Sequence, residues 1–323
     1  MLEQFREVVL VDFEFATATT GRPDPVCLVM HEVHSGRTVR LWRDQFGPMP
    51  LYDTGPDTLF IAYFASAELG CHRALGWPIP TRILDLFTEF RDRFNGLGTC
   101  AGNSLLGALA QFGLDGIGAE EKEDMRALIV SGGPWSPEER KAILDYCESD
   151  VVALKRLLPA MLPAINIPHA LLRGRYMAAV SAMEHNGVPI DTEMLTKLRD
   201  HWEAIQDDLI AAIDVNYGVY EGRTFKMERF ARWLVANNVP WPPLESGQID
   251  LEDDTFRQMA RAYPIVSPLR ELRSSLSDLR LENLTVWSDG RNRALLSPFR
   301  SRTAEINLAM PSSSSDPACG SEA

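Results

Sequence analysis

Residues 8–15 of the chain read Val-Val-Leu-Val-Asp-Phe-Glu-Phe. Four apolar residues in a row are typical of a strand that is buried on both faces. Side chains alternate along a strand, so Asp12 and Glu14 point to one side and Phe13 and Phe15 to the other. Two neighbouring carboxylates on a buried strand repel each other and lose hydration, which divalent metal ions commonly offset. The alternative is an edge strand whose polar face meets water, but the apolar run before Asp12 favours the buried strand.

The composition indicates an ordinary globular protein. The 323 residues suit two domains, and 45% of them are hydrophobic and 24% charged. No stretch approaches the roughly 20 apolar residues that a membrane span needs, and the N-terminus lacks the layout of a secretory signal. The five cysteines are scattered and never form a C-x-x-C pair, which predicts reduced thiols in a cytoplasmic protein with neither disulfides nor a zinc site.

The net charge of −13 argues against a protein that coats nucleic acid by bulk charge. It remains compatible with an enzyme that grips a strand locally and uses acids to hold metal ions.

Hydrophobic patterning predicts a strand-rich N-terminal half. Three strands joined by short turns form a meander, and further strands alternate with helices. We expect strands at 8–15, 26–30, 37–42 and 59–62, a strand leading into a helix at 82–87, and helices at 66–75 and 102–113.

The next helix has strong boundary signals. Ser136 and Glu139 make an S-x-x-E capping box around Pro137, and Pro159 is expected to end the helix. Residues 146 and 150 on this helix are a tyrosine and an aspartate four positions apart, so they project from one face.

Three prolines within 159–168 predict a linker or a sharp change of direction. The remainder is expected to be mostly helical and to end in a serine-rich, disordered tail. We expect helices at 170–186, 192–214 (capped by Thr192), 225–237, 254–262 and 269–284.

Phosphodiester cleavage is the chemistry that these acids suit. Two metal ions about 4 Å apart can supply a nucleophilic water, neutralise charge at phosphorus and help the leaving oxygen. Hard divalent ions prefer oxygen ligands, and a tyrosine hydroxyl one turn from a metal-binding aspartate could hold the attacking water. The candidates are Asp12, Glu14, Glu68, Tyr146 and Asp150. The alternatives are a solvated helix face for Glu68, a half-buried core position for Tyr146 and an exposed helix acid for Asp150.

These motifs are similar to those of the proofreading 3′–5′ exonuclease domain of bacterial family A DNA polymerases, in the DEDD class with a tyrosine. Val11–Glu14 resembles the first motif, D-x-E after an apolar strand, and Tyr146–Asp150 resembles the third, Y-x-x-x-D. The resemblance implies that Asp12, Glu14 and Asp150 bind two Mg²⁺ or Mn²⁺ ions and that Tyr146 positions the water. It also implies a ribonuclease H-like mixed sheet flanked by helices.

The second motif departs from this pattern. The family expects roughly H-N-x-x-F-D, whereas residues 62–69 read Ala-Tyr-Phe-Ala-Ser-Ala-Glu-Leu. Glu68 falls where the aspartate belongs and Phe64 where the asparagine would be. Asp85 also has a counterpart in the family, outside the metal set.

The resemblance continues beyond the linker. Residues 183–191, Met-Glu-His-Asn-Gly-Val-Pro-Ile-Asp, look like the passage that opens the polymerase part, and the helices that follow resemble the DNA-gripping thumb. Between positions 261 and 302 the chain has eight arginines and four acidic residues. This local excess of positive charge is what a surface that binds the phosphate backbone requires. Arg270, Arg273 and Arg280 are the candidate DNA contacts, with a solvated helix as the alternative.

The resemblance implies an exonuclease domain at 1–160, a linker at 161–168, a helical thumb-like segment at 169–303 and a tail at 304–323. The palm acids and the fingers motif of a complete polymerase do not appear, so we expect a truncated product or one piece of a split enzyme with a separate polymerase subunit. The implied function is a metal-dependent 3′–5′ exonuclease acting on single-stranded or frayed DNA 3′ ends. The alternative is a non-catalytic DNA-binding remnant. The sequence motifs are compatible with DNA and with RNA as the substrate.

Overall fold

The computed structural model describes residues 2–99, 101–114, 119–278, 281, 284–299 and 307–308. These residues form two compact units. The first extends to Pro189 and includes the described residues from Trp287 onward, and the second is Ile190–Val286. The units therefore divide at Pro189, whereas the sequence prediction placed the linker at 161–168.

A mixed five-stranded sheet forms the centre of the first unit. The strands are β1 (Glu7–Thr17), β2 (Pro23–Glu32), β3 (Thr38–Trp42), β4 (Thr58–Ala62) and β5 (Arg82–Asp85). The order across the sheet is β3-β2-β1-β4-β5, with β1–β2–β3 antiparallel and with β4 and β5 parallel to β1. The predicted meander is confirmed, and β1 is the central strand, so the edge-strand alternative is wrong.

Helices flank this sheet, so the first unit is an α/β domain. The pattern predicted all of its described helices except α4, although the predicted boundaries differ by a few residues. The helices are α1 (Ala65–Leu75), α2 (Leu86–Arg93), α3 (Leu105–Gln111), α4 (Ala119–Val130), α5 (Pro137–Met161) and α6 (Ile167–Asn186).

The two faces of β1 pack into two separate apolar cores. Val8 and Leu10 lie in one core with Cys147 on α5, whereas Val9 and Val11 lie in the other, to which α1 and α6 contribute. Burying each such side chain contributes about 2 kcal/mol, which fixes the register because a shift by one residue would exchange the faces. Asp12 and Glu14 continue the alternation of Val8 and Leu10, so they share the face that packs against α5.

The end of α5 differs from the prediction. The capping box at its start is present, but Pro159 lies inside the helix, which continues to Met161. Leu158 and Met161 are buried, and their packing maintains the last turn despite the missing backbone N–H of Pro159. A short 3-10 turn follows, and Asn166 then caps α6, with a proline in its first turn.

Close packing on the sheet explains why α6 belongs to the first unit. A Cβ atom placed on Gly174 would lie 2.0 Å from the backbone oxygen of Ile83 in β5. Only glycine therefore allows this approach of helix to strand.

The second unit is mainly helical, as predicted. It has its own core, in which the rings of Phe230, Trp241 and Phe256 contact one another with centroids 4.8–5.5 Å apart. Its helices are α7 (Thr192–Asp200), α8 (Trp202–Asp214), α9 (Met227–Ala236), α10 (Asp253–Ala262) and α11 (Ser267–Asp278).

Three details of the second unit correct the predictions. The cap of α7 is Asp191, whose carboxylate accepts the Met194 N–H, and not Thr192. The helix expected to run to Asp214 is interrupted at His201, where α7 ends and α8 begins. Leu281 has a φ of 42°, so it lies outside the helix that was expected to reach position 284. The predicted tail at 304–323 lies outside the described residues, except for 307–308.

Candidate metal-binding site

Asp12 and Glu14 lie on the half of β1 that extends beyond its pairing with β4. The parallel ladder between these strands ends at the pair Leu10–Ile61, whereas the antiparallel ladder to β2 continues past Glu14. One edge of β1 is therefore open at the two acids. Both side chains are partly exposed there, at the carboxyl end of a strand in an α/β sheet, where ligand sites are common.

The third-motif residues approach these acids from α5. The Cys147 thiol donates to the backbone oxygen of Asp12 at 3.3 Å and to its Oδ2 atom at 3.4 Å. Asp150, one turn later, is 9% exposed. Burial raises the pKa of the Tyr146 hydroxyl, and the negative charges of Asp150, Glu14 and Asp12 raise it further. The packing of α5 across β1 thus brings the first-motif and third-motif residues together, although they lie far apart in the sequence.

Glu68 joins the same cluster from the first turn of α1. Its side chain is 4% exposed, and its Oε2 atom accepts the Phe13 N–H at 2.8 Å. Burial raises the pKa of Glu68 well above its ordinary value, the charges of Asp12, Glu14 and Asp150 raise it further, and the Phe13 N–H opposes them. The alternative of a solvated helix face for Glu68 does not match this buried position.

The donor set suits divalent cations. Four carboxylates from three elements interact electrostatically at one end of the sheet, and the repulsion that raises the pKa of Glu68 is what bound cations would relieve. Asp12, Glu14 and Cys147 each place one ligand atom within 4.8 Å of the others. Oxygen donors dominate the set, which favours Mg²⁺ or Mn²⁺.

Cys147 is the residue of this cluster that sequence analysis missed. The scattered cysteines predict an ordinary reduced thiol at this position, yet Cys147 lies inside the third motif, directly after Tyr146. Its position three residues before Asp150 was the available signal, because residues three apart share a helix face. Cys27 and Cys71 are also free and buried, whereas Cys100 and Cys319 lie outside the described residues.

Asp85 is buried at the end of β5 and accepts hydrogen bonds from two helix N-termini. Its carboxylate accepts the N–H groups of Phe64 and Ala65 at the start of α1 and those of Phe87 and Thr88 at the start of α2. Burial raises its pKa to about 6, and these four N–H groups oppose the rise. Asp85 therefore joins two helix N-termini.

The arginines proposed as DNA contacts have different surroundings. The guanidinium of Arg273 stacks over the rings of Phe225 and Phe256 at 4.7 and 4.4 Å and donates to the Leu251 oxygen. The Arg273 guanidinium thus makes these contacts within the second unit. Arg270 is partly buried, and Arg280 lies outside the described residues.

Among the described residues, no helix combines the length and the apolar character needed to cross a lipid bilayer.

Comparisons with known proteins show a likeness of fold. No protein-family model matches the sequence, and no curated protein matches it. A similar solved structure is the polymerase domain of Pol1 from M. smegmatis, in complex with a DNA primer-template and a dNTP. It is 15% identical with a TM-score of 0.52, and the match covers 94% of this chain and 51% of that chain. The chain thus spans about half the length of that polymerase chain, and its fold is similar to that of a bacterial Pol I polymerase domain.

Proposed function

We propose that this protein is a metal-dependent 3′–5′ exonuclease that removes nucleotides from single-stranded or frayed DNA 3′ ends. The observation that carries the proposal is the position of Asp12 and Glu14, each of which places a ligand atom within 4.8 Å of the other and of the Cys147 thiol. Glu68, which is buried on α1, interacts electrostatically with both acids and with Asp150. On this proposal the first unit is a ribonuclease H-like nuclease domain. The helical second unit serves as a thumb-like support for DNA.

Asp12, Glu14 and Asp150 would hold the two cations, with Glu68 as the fourth acid. Bound Mg²⁺ or Mn²⁺ supplies Lewis-acid stabilisation of charge on the phosphate and lowers the pKa of water. The site's own residues provide the framework, because β1, α1 and α5 are each anchored in an apolar core. A rigid framework lets carboxylates meet a cation without reorganising.

Tyr146 would act as a positioning hydrogen-bond donor. Its raised pKa keeps the hydroxyl protonated throughout the neutral range, so it can donate to or accept from a water but cannot serve as a base. Asp150 lies one turn away on the same helix, which places the hydroxyl beside the proposed metal ligands.

Digestion of an oligonucleotide labelled at its 5′ end tests this proposal. With Mg²⁺ or Mn²⁺ the parent protein is expected to give a ladder of products shortened from the 3′ end. Asp12→Ala is expected to reduce the rate by at least about 100-fold, because it removes a metal ligand. Asp57→Ala changes an exposed acid at the opposite end of the sheet and is expected to retain parent activity. An RNA oligonucleotide of the same sequence tests the preference for the sugar.

Equal rates for the parent and Asp12→Ala, or cleavage by neither, would contradict the proposal. Calorimetric titration with Mn²⁺ then addresses the alternative of a non-catalytic DNA-binding remnant. Two bound ions in the parent protein and fewer in Asp12→Ala would count against the hypothesis of a non-catalytic remnant.

A further inference from the structure

A cavity lies at the opposite end of the sheet from the carboxylates. Its volume is about 590 Å³, and its lining includes Phe5, Arg82 and Arg175. Phe5 precedes β1 and Arg82 is the first residue of β5, so the cavity lies at the amino ends of the parallel strands. Asp12 follows Glu7, the first residue of β1, by five residues, or about 16 Å of extended strand. The cavity is therefore separate from the candidate metal site.

One wall of the cavity is a face of α6 with an apolar surface. Four of the lining residues are three, four and seven positions apart and so share this face, namely Pro168, Leu171, Leu172 and Arg175. Leu171 packs against the apolar core that also contains Phe5, whereas the Leu172 side chain is 65% exposed. The wall thus combines a side chain anchored in the core with an apolar surface that a ligand would cover.

Two arginines supply the charge of the cavity. Among the described residues that line it, none is acidic, although the whole chain has a net charge of −13. Arg82 and Arg175 are both exposed, and within the described part of the chain neither side chain has a hydrogen-bond or salt-bridge partner. By contrast, Arg173 pairs with Glu89 at 2.6 Å and with Asp92 at 3.3 Å. A cleft lined by charges of one sign concentrates counter-ions, so this cavity favours an anion.

The residue types of the lining narrow the chemistry of that anion. A planar guanidinium matches the oxygens of a phosphate in a bidentate geometry. Two unpaired guanidiniums suit a dianion better than a monoanion, and a phosphomonoester carries a charge of about −1.5 to −2 near neutral pH. The volume of the cavity falls within the range of about 300–1,000 Å³ that is typical of small-molecule sites. The apolar wall on α6 would then contact the organic part of the ligand.

We propose that this cavity binds a small phosphomonoester whose organic part is apolar or aromatic. Arg82 and Arg175 bind the phosphate group, and Leu171 and Leu172 contact the organic part. The inference goes beyond the proposed nuclease function and does not depend on it, because none of the candidate metal ligands lines the cavity.

NMR titration of the full chain with 1-naphthyl phosphate in EDTA tests the inference. The parent protein, labelled with ¹³C at its leucine methyl groups, is expected to bind with a Kd of about 0.5 mM and to show shifts at Leu171 and Leu172. Arg82→Gln and Arg175→Gln are each expected to weaken binding at least about fivefold, because each removes a charged donor to the phosphate. Arg37→Gln, at an exposed arginine between β2 and β3 outside the cavity, is the matched control and is expected to retain the parent affinity.

Two further probes separate the contribution of the phosphate from that of the apolar wall. Inorganic phosphate lacks the organic part and 1-naphthol lacks the charge, so each is expected to bind at least about tenfold more weakly than 1-naphthyl phosphate. Leu172→Ala is expected to weaken binding of 1-naphthyl phosphate but not of inorganic phosphate. Asp12→Ala is expected to bind 1-naphthyl phosphate like the parent, whatever its effect on cleavage.

The absence of shifts at Leu171 and Leu172 would overturn the inference. Equal affinities of the parent, Arg82→Gln and Arg175→Gln would also overturn it, as would equal affinities of the parent for 1-naphthol and 1-naphthyl phosphate. Both arginines are exposed and unpaired, so the glutamine variants are expected to keep the stability of the parent, which urea unfolding checks. A loss of binding with unchanged stability therefore identifies the two arginines as ligand contacts.

Discussion

Glu68 shows at the scale of one residue how a buried acid is placed for a cation. Its carboxylate accepts the Phe13 N–H, and three further acids lie within electrostatic range. A charge in such surroundings destabilises the fold unless a cation binds. Glu68 is therefore a residue whose removal should have opposite effects on stability and on metal binding.

Glu68→Gln is expected to raise the free energy of unfolding by about 1–2 kcal/mol in EDTA at neutral pH, because an acid whose pKa is raised on folding opposes folding there. The same change is expected to weaken Mn²⁺ binding about tenfold or more, because a carboxylate ligand becomes a neutral amide. Urea unfolding and calorimetric titration measure the two quantities. Glu138→Gln, at an exposed position on α5, is the control. Unchanged Mn²⁺ affinity would show that Glu68 is not a ligand.

His72 is a buried structural histidine. Its Nδ1–H donates to the Pro78 oxygen at 2.8 Å, so Nε2 accepts the Tyr52 hydroxyl at 2.6 Å. Burial lowers the pKa of His72 to about 4, although the bond to Pro78 opposes this. The folded protein therefore favours the neutral ring.

This lowered pKa predicts a dependence of stability on pH. The contribution of His72 is present above pH 6.5, the ordinary value, and is lost as the pH falls towards about 4. It amounts to about 3 kcal/mol. His72→Gln cannot titrate, so its free energy of unfolding, measured in urea at pH 7 and pH 4.5, is expected to fall less than that of the parent. Parallel losses in the two proteins would contradict the assignment.

At the scale of elements, Asp85 connects the starts of α1 and α2. Four backbone N–H groups donate to one buried carboxylate. These groups are the orphan donors that helix N-termini leave, and they favour a negative charge. The contact also maintains the left-handed turn at Phe64, which precedes α1.

Asp85→Ala is expected to lower the free energy of unfolding by about 3 kcal/mol or more, because it leaves buried N–H groups without an acceptor. Asp85→Asn keeps one oxygen acceptor and is expected to lose about half as much. Urea unfolding followed by circular dichroism measures both, with the exposed-site variant Asp57→Ala as reference. A loss below about 1 kcal/mol in Asp85→Ala would mean that water replaces the carboxylate.

At the scale of the whole molecule, the two units have separate cores. The core of the second unit contains Phe230, Trp241 and Phe256 and shares no residue with the two cores beside the sheet. Units with separate cores open separately when one core is damaged.

Phe256→Ala is expected to destabilise the second unit by about 3–5 kcal/mol, because it leaves a cavity where a fully buried ring was. Amide hydrogen exchange is expected to accelerate in α9–α11 and to remain unchanged in β1–β5. Phe90→Ala, at a fully buried ring of the first unit, is the reciprocal control. Faster exchange in both units from either variant would show that they unfold as one.

The sequence by itself determined most of the helices and strands. The apolar run before Asp12, the alternation that places Asp12 and Glu14 on one face, and the capping box of α5 are local signals, and each produced the predicted element. Local patterns could not place the unit boundary, because Gly174 and the packing of α6 on β5 connect residues far apart in sequence. They also missed the last turn of α5 beyond Pro159, where buried side chains outweigh the missing hydrogen bond.

Only the tertiary structure decided which side chains meet. Position 68 could have been a solvated helix acid, and the packing of α1 against β1 instead buried it among three other carboxylates. The packing of α5 against β1 likewise brought Cys147 to Asp12. Periodicity specifies the face on which a residue lies, but the distance between two faces depends on register and on close packing, which no single segment contains.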